Sequence, residues 1–232
     1  LNAISFGGVL GGPILRNKLF FFGGMQTTRQ RTDAQGTVAY VPTPQMLAGD
    51  WTTYASAQCQ SGGAVNLRAP FSGNRIDPAR FSPAALNLVK KLPTTTDPCG
   101  QITWNTATNQ DEHMPVVRID YQMTQSQAIF GRYLGNKVTV PAPWSGTGDN
   151  VLKTSDAGTN DKFYSLVLGH TQVLSAALVN ALRVNYDTTK SRRGQNPGFF
   201  SPGDVGVKMY SYPPGDQFAL TVTNAFDIDS GG

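Results

Sequence analysis

The chain has 232 residues, enough for one folded domain, of which 39% are hydrophobic and only 15% charged, with 25 Gly and 15 Pro. That charge content lies well under the roughly 25% of a soluble globular domain and suits many strands joined by polar connections. The net charge of +4 arises from 19 scattered Lys and Arg. The one dense cluster, Lys190-Ser-Arg192-Arg193, is broken by Gly and Pro, so a nucleic-acid partner is not expected. No apolar run reaches the roughly 20 residues of a membrane-spanning helix; the strongest covers residues 19–24.

Taken in chain order, three blocks show apolar/polar alternation, a short turn and alternation again, which predicts β-hairpins. The first covers residues 4–29, with Gly and Pro supplying a turn at 11–18. A long polar connection, 30–115, follows; within it residues 81–93 read as a short helix, with Ser82 as N-cap, Pro83 at the first helical position and Pro93 as the stop. Leu86, Val89 and Leu92 are expected to share its apolar stripe.

The second hairpin covers 116–137, turning at 124–127; Ile119, Tyr121 and Met123 alternate with Arg118, Asp120 and Gln122. After a connection at 139–161, the third covers 162–189, turning at 174–177, with Leu182, Val184 and Tyr186 opposite Ala181, Arg183, Asn185 and Asp187. Residues 190–232 form the last connection.

Strands of roughly ten residues with one apolar and one charge-bearing face match a transmembrane β-barrel, whereas strands of soluble sandwiches run nearer five or six. Short turns alternating with long connections reinforce that match, since outer-membrane barrels have short periplasmic turns and long extracellular loops. The expected class is therefore all-β: antiparallel strands of an incomplete transmembrane β-barrel, with long extracellular loops and one short loop helix. The turns at 11–18, 124–127 and 174–177 then face the periplasm. Arg118, Asp120, Arg132, Arg183 and Asn185 are the candidates for the lumen-facing wall, where charges avoid lipid.

Cys59 and Cys99 lie in polar segments rich in Gly, Pro, Ser and Thr, which fits a disulfide in an oxidising compartment. Two cysteines are too few to form a pattern, so a pair of unrelated thiols stays open as the competing reading.

The opening block Phe6-Gly-Gly-Val-Leu-Gly-Gly-Pro-Ile-Leu-Arg-Asn-Lys-Leu-Phe-Phe-Phe-Gly resembles a segment of Oar-like TonB-dependent receptors, with its Gly, Pro and triple-Phe elements at the family's spacing. Shorter matches follow in family order: Val41-Pro-Thr-Pro-Gln-Met-Leu-Ala-Gly-Asp50, Asn74-Arg-Ile-Asp-Pro-Ala-Arg-Phe-Ser-Pro-Ala-Ala-Leu, Arg118-Ile-Asp-Tyr-Gln, Phe130-Gly-Arg-Tyr and Leu168-Gly-His-Thr. The resemblance implies a fragment of the early barrel region. A carboxypeptidase-regulatory-like domain, a plug and the TonB-contacting segment would lie upstream, with further strands downstream. An opening without Met, basic n-region or cleavage site leads to the same expectation. The implied partners are outer-membrane lipid, the missing plug and strands, the TonB system and an unidentified extracellular ligand, at the bacterial cell outer membrane.

The chemistry expected of the chain is not enzymatic, and no cofactor is expected. The glycines at 7–12 lack both the P-loop lysine and the dinucleotide spacing. His113 and His170 have no ligand or nucleophile at a useful spacing, and His170 is placed in a strand near the periplasmic rim. Asp227-Ile-Asp229-Ser-Gly-Gly echoes only the start of a calcium loop, and Asp111 and Glu112 should point apart on a strand. Trp51, Trp104, Trp144, Tyr210 and Tyr212 are loop aromatics that either bind a sugar or peptide or pack within the loops. The alternative to uptake is a secreted all-β carbohydrate-binding module, which requires shorter strands packed against a second sheet.

Overall fold

The computed structural model describes residues 2–146, 148–194, 199–210 and 218–229. In chain order the strands are β1 (Asn2–Leu15), β2 (Leu19–Arg31), β3 (Gln35–Tyr40), β4 (Gln101–Thr106), β5 (Asn109–Gln122), β6 (Gln127–Val140), β7 (Thr159–Ser175), β8 (Leu178–Arg193), β9 (Ala219–Val222) and β10 (Phe226–Asp229). Two short helices, α1 (Pro44–Leu47) and α2 (Pro83–Val89), fall between β3 and β4. The chain divides into two compact units.

The first unit is one antiparallel sheet in the order β1-β2-β5-β6-β7-β8, open between β1 and β8. It confirms the all-β class and contains the three hairpins read from the alternation. Their turns are tight, and the first is shorter than the expected 11–18: Gly11, Gly12 and Pro13 pair with Phe22, Phe21 and Phe20, leaving only Arg16–Lys18 between the strands. Lys18 N–H donates to the Leu15 carbonyl while Asn17 takes φ 60° in the left-handed region, where asparagine is at home. Met123 N–H donates to the Gln127 carbonyl at 2.9 Å across the second turn, and β7 and β8 are separated only by Ala176 and Ala177.

These strands are longer than the roughly ten residues expected, at 13 to 17 each. The ladders continue past the apolar stretches into polar sequence, because strand pairing satisfies the backbone whatever the side chains are. β5 also runs straight through Pro115, the expected end of a loop. A proline in a paired strand lacks its donor and needs room for its ring. Gly135 provides it on β6: a Cβ there would stand 3.1 Å from the Pro115 Cγ.

The second unit gathers the described residues of 34–107, 142–157 and 194–232, the stretches read as long loops. They fold around a core of their own in which Val41, Leu92, Trp144, Leu152, Phe226 and Ile228 are buried. Two small ladders, β3 with β4 and β9 with β10, frame it. The two meet where Tyr40 N–H donates to the Ala225 carbonyl at 2.9 Å. Alternation along β10 sends Phe226 and Ile228 inward and Asp227 outward. Thr154, fully buried in the 3-10 turn Val151–Ser155, donates to the Val151 carbonyl at 2.6 Å and accepts from Asp229 N–H at 3.2 Å.

α2 starts where expected, with Ser82 as N-cap residue and Pro83 opening the helix, although the Ser82 hydroxyl makes no capping bond and the helix ends at Val89, before the expected stop at Pro93. Its apolar stripe differs from the expected one. Leu88, Val89 and Leu92 pack on the core, and Leu86 does not belong to that cluster. Cys59 and Cys99 form a disulfide, Cα to Cα 5.3 Å, which ties this unit across 40 residues. Beside it Gly100 has φ +88°, and a Cβ there would meet the Val41 carbonyl oxygen at 2.4 Å. Only glycine lets the chain approach so closely while Val41 N–H donates to the Gly100 carbonyl.

Candidate functional site

Because strand side chains alternate, the register assigns each residue of the large sheet to a face. Arg118 lies opposite Arg132, Arg132 opposite Val167, and Val167 opposite Asn185. Two rungs away, Asp120 faces Phe130, Phe130 faces Gly169, and Gly169 faces Arg183. Arg118, Asp120, Arg132, Arg183 and Asn185 therefore all share one face.

They do not form one cluster. Arg118 grips Asp120 with two bonds, Nε to Oδ2 at 2.7 Å and Nη2 to Oδ1 at 2.6 Å. The same guanidinium lies 4.2 Å from the centre of the Phe130 ring, a cation–π contact that leaves it little freedom. The Phe130 ring in turn covers Gly169, where a Cβ would stand 2.1 Å from its Cε1. Asn185 instead donates to Asp187 and accepts from the Ser165 hydroxyl at 3.4 Å. Arg132 and Arg183 form no ion pair among the described residues.

The triple-Phe block splits between faces. Phe20 and Phe22, opposite Asp120 and Arg118, join the charged face, whereas Phe21, opposite Ile119, joins the other. Asp111 and Glu112 likewise diverge. Asp111 pairs with Arg31 at 2.7 Å, and Glu112 accepts from Asn136 Nδ2 at 2.8 Å.

The opposite face carries a wide apolar band that stays exposed. Leu182, Val184 and Tyr186 on β8 are 60%, 58% and 67% exposed, and Ile4, Phe6, Leu10 and Ile14 on β1 are similarly open. From Ile4 to Ile14 the strand rises about 33 Å, or about 25 Å along a membrane normal at the usual barrel tilt, the height of a lipid-facing band. His170 belongs to this face, between Ile129 and Leu182, and His113 shares a 3.1 Å hydrogen bond with Thr27 Oγ1. The band ends at a row that the alternation alone does not reveal. Lys137, Lys162 and Lys190 stand directly opposite one another on β6, β7 and β8. Only the registers of the β6–β7 and β7–β8 pairings bring these three together.

In the second unit the aromatics pack rather than stand free: Trp144 is core, Trp104 lies against it, and Trp51 makes edge contacts with Tyr54 and Phe71. Tyr210 is exposed, and Tyr212 and residues 230–232 lie outside the described residues. Two carboxylates here are held well below their ordinary range. Asp50 is lowered to about 2, first by the Thr52 hydroxyl and then by its N–H. For Asp149 burial pushes upward, but bonds from Lys153, Ser145 and Asn150 outweigh it and bring the group to about 2. Among the described residues no three His, Cys, Asp or Glu gather at metal-binding distance.

The geometry is that of a wall with a lipid-suited face and a water-suited face, which can separate two media. A family model described as outer membrane beta barrel domain matches residues 1–232. Comparison with curated proteins and with solved structures gives no match. A match over the whole chain, on a sheet of this design, means that the chain belongs to the outer membrane beta barrel domain family and resides in the bacterial outer membrane.

Proposed function

We propose that the chain is a section of an outer-membrane TonB-dependent receptor that takes up an extracellular ligand at the expense of inner-membrane energy. The observation that carries this reading is the hairpin β1–β2. It is built from the Gly, Pro and triple-Phe block that resembles Oar-like receptors, and it opens a sheet with one lipid-suited and one charged face. In this reading residues 4–29, 116–137 and 162–189 are early barrel hairpins. Arg118, Asp120, Arg132, Arg183 and Asn185 line the lumen, and the plug and remaining strands complete the structure. The open edges of β1 and β8 support the need for further strands, since unpaired backbone in lipid costs several kcal/mol per group.

The mechanism asks no covalent chemistry of these residues. The bidentate Arg118–Asp120 pair under Phe130 gives a fixed, nearly neutral inner wall, while Arg132 and Arg183 present charge to whatever occupies the lumen. The carbohydrate-module alternative needs short strands with their apolar face buried, and Leu182, Val184 and Tyr186 are exposed on a strand of 16 residues.

Two strains test the proposal, one lacking this gene and one lacking the TonB energiser, each grown across an array of single nutrient sources. Loss of growth on the same source in both is expected; a nutrient defect confined to the gene deletion would rule out energised uptake. Cysteines placed singly at Arg183 and Leu182 test the faces. An aqueous thiol reagent should label position 183 and not 182, and the reverse pattern would exchange lumen and lipid.

A further inference from the structure

On the lipid-suited face, the end of the sheet away from the short turns is strongly cationic. Arg29, Arg31, Lys137, Lys162, Lys190 and Arg192 share it with a single carboxylate, Asp111, which Arg31 already holds at 2.7 Å. Asp161 belongs to the other face, where it accepts from the Ser191 hydroxyl. Lys137, Lys162 and Lys190 form no ion pair among the described residues.

Adjacent strands lie about 4.8 Å apart, so the three ammonium-bearing side chains rise from a line about 10 Å long. Like charges directly opposite on neighbouring strands repel. The arrangement is therefore unfavourable in the isolated sheet and becomes favourable once an anion with several charges lies across it. Immediately toward the membrane on the same face stand Tyr164, Tyr133, Leu166 and Tyr186, with the Tyr133 and Tyr164 rings stacked at 6.3 Å. An acyl chain fits against that surface and a headgroup fits against the lysines above it.

We infer that Lys137, Lys162 and Lys190 form a docking strip for a phosphate-bearing lipid of the leaflet on the long-connection side. Phosphate matches the compact, multiply donating ammonium group, and an attached acyl chain matches the tyrosine surface below. The strip serves lipid and leaves transport to the other face, so it stands whether or not uptake is energised.

The test uses the intact outer-membrane protein carrying this chain, reconstituted with spin-labelled phosphatidic acid or phosphatidylcholine, and reads the fraction of each lipid immobilised on the protein. A preference for phosphatidic acid of at least about fivefold is expected, the factor for one lysine engaged at an anionic surface. In Lys137→Gln/Lys162→Gln/Lys190→Gln the preference falls to near one. The triple Lys→Arg variant, which keeps the charges, restores it and shows that the sheet tolerates change at these positions. Control changes Arg80→Gln/Lys90→Gln leave the preference intact. Retention of the preference in the triple Gln variant overturns the inference. So does its loss on adding inorganic phosphate at matched ionic strength, which would mark a site for free anion rather than for lipid.

Discussion

Removing the Cys59–Cys99 bridge should loosen the second unit and leave the six-stranded ladder alone. The bridge closes a loop of 40 residues, and the chain-entropy relation for a loop of that size gives about 4 kcal/mol at 25 °C. With a urea dependence of about 2 kcal/mol per molar, the unfolding midpoint of this unit moves down by about 2 M in Cys59→Ser/Cys99→Ser. Trp51, Trp104 and Trp144 all belong to this unit, so tryptophan fluorescence reports its unfolding selectively. Far-ultraviolet circular dichroism follows the long strands, which contain neither cysteine, and its main transition should stay in place. Coincident fluorescence curves for the bridged protein and the double variant would refute the reasoning and show that the core around Leu152 and Ile228 holds the segment without a cross-link.

Gly169→Ala drives a methyl into the Phe130 ring and should cost about 1–3 kcal/mol, whereas Gly131→Ala, whose Cβ would meet only Leu168 at 3.5 Å, should be nearly neutral; equal melting points of the two in micelles would dismiss the packing argument. Leu152→Ala, at a site 1% exposed, should lower the stability of the second unit by about 2–5 kcal/mol, read by the same urea titration, and a change under 1 kcal/mol on that order-of-magnitude scale would mean the core collapses freely. Asp149 has a depressed folded-state pKa, so its stabilisation is complete above about pH 4 and fades as pH falls toward about 2, by at most about 2 kcal/mol. Titrations at neutral and acid pH should therefore converge for the wild type and Asp149→Asn at the acid end, and a constant gap between them would exclude this linkage.

The faces of the sheet were legible because period-two alternation is local: Arg118 and Asp120 against Ile119 and Tyr121 need no partner strand to be read. The turns at 124–127 and 174–177 were legible from the break in alternation, but the Gly and Pro at 11–13 misled: they stay in β1, opposite Phe22, Phe21 and Phe20, and the chain turns only at Arg16–Lys18. Pro115 misled because its lost donor is visible in sequence, while the accommodating Gly135 lies twenty residues away on another strand. Nor does the core of the second unit leave a local signature. Val41, Leu92, Leu152 and Ile228 come from four separate stretches, each too short to show a period. The lysine row was hidden in the same way, since each lysine reads alone as an ordinary polar strand residue until register aligns it with the next.

The seam between β2 and β5 has a consequence for how the sheet assembles. Every other pairing in it joins strands linked by a tight turn or, between β6 and β7, by the connection at 141–158. At this seam Arg31 must find Asn109 across the whole stretch that carries β3, both helices and β4. Loop-closure entropy makes such a meeting slow for an open chain. Were β3 to pair with β4 first, the loop left to close would shrink to the few residues around Thr32 and Thr108, which exchange bonds of 3.1 Å and 2.9 Å in the folded chain. In that order the small ladder would start a zip, and β2 and β5 would register rung by rung as if they too were joined by a turn.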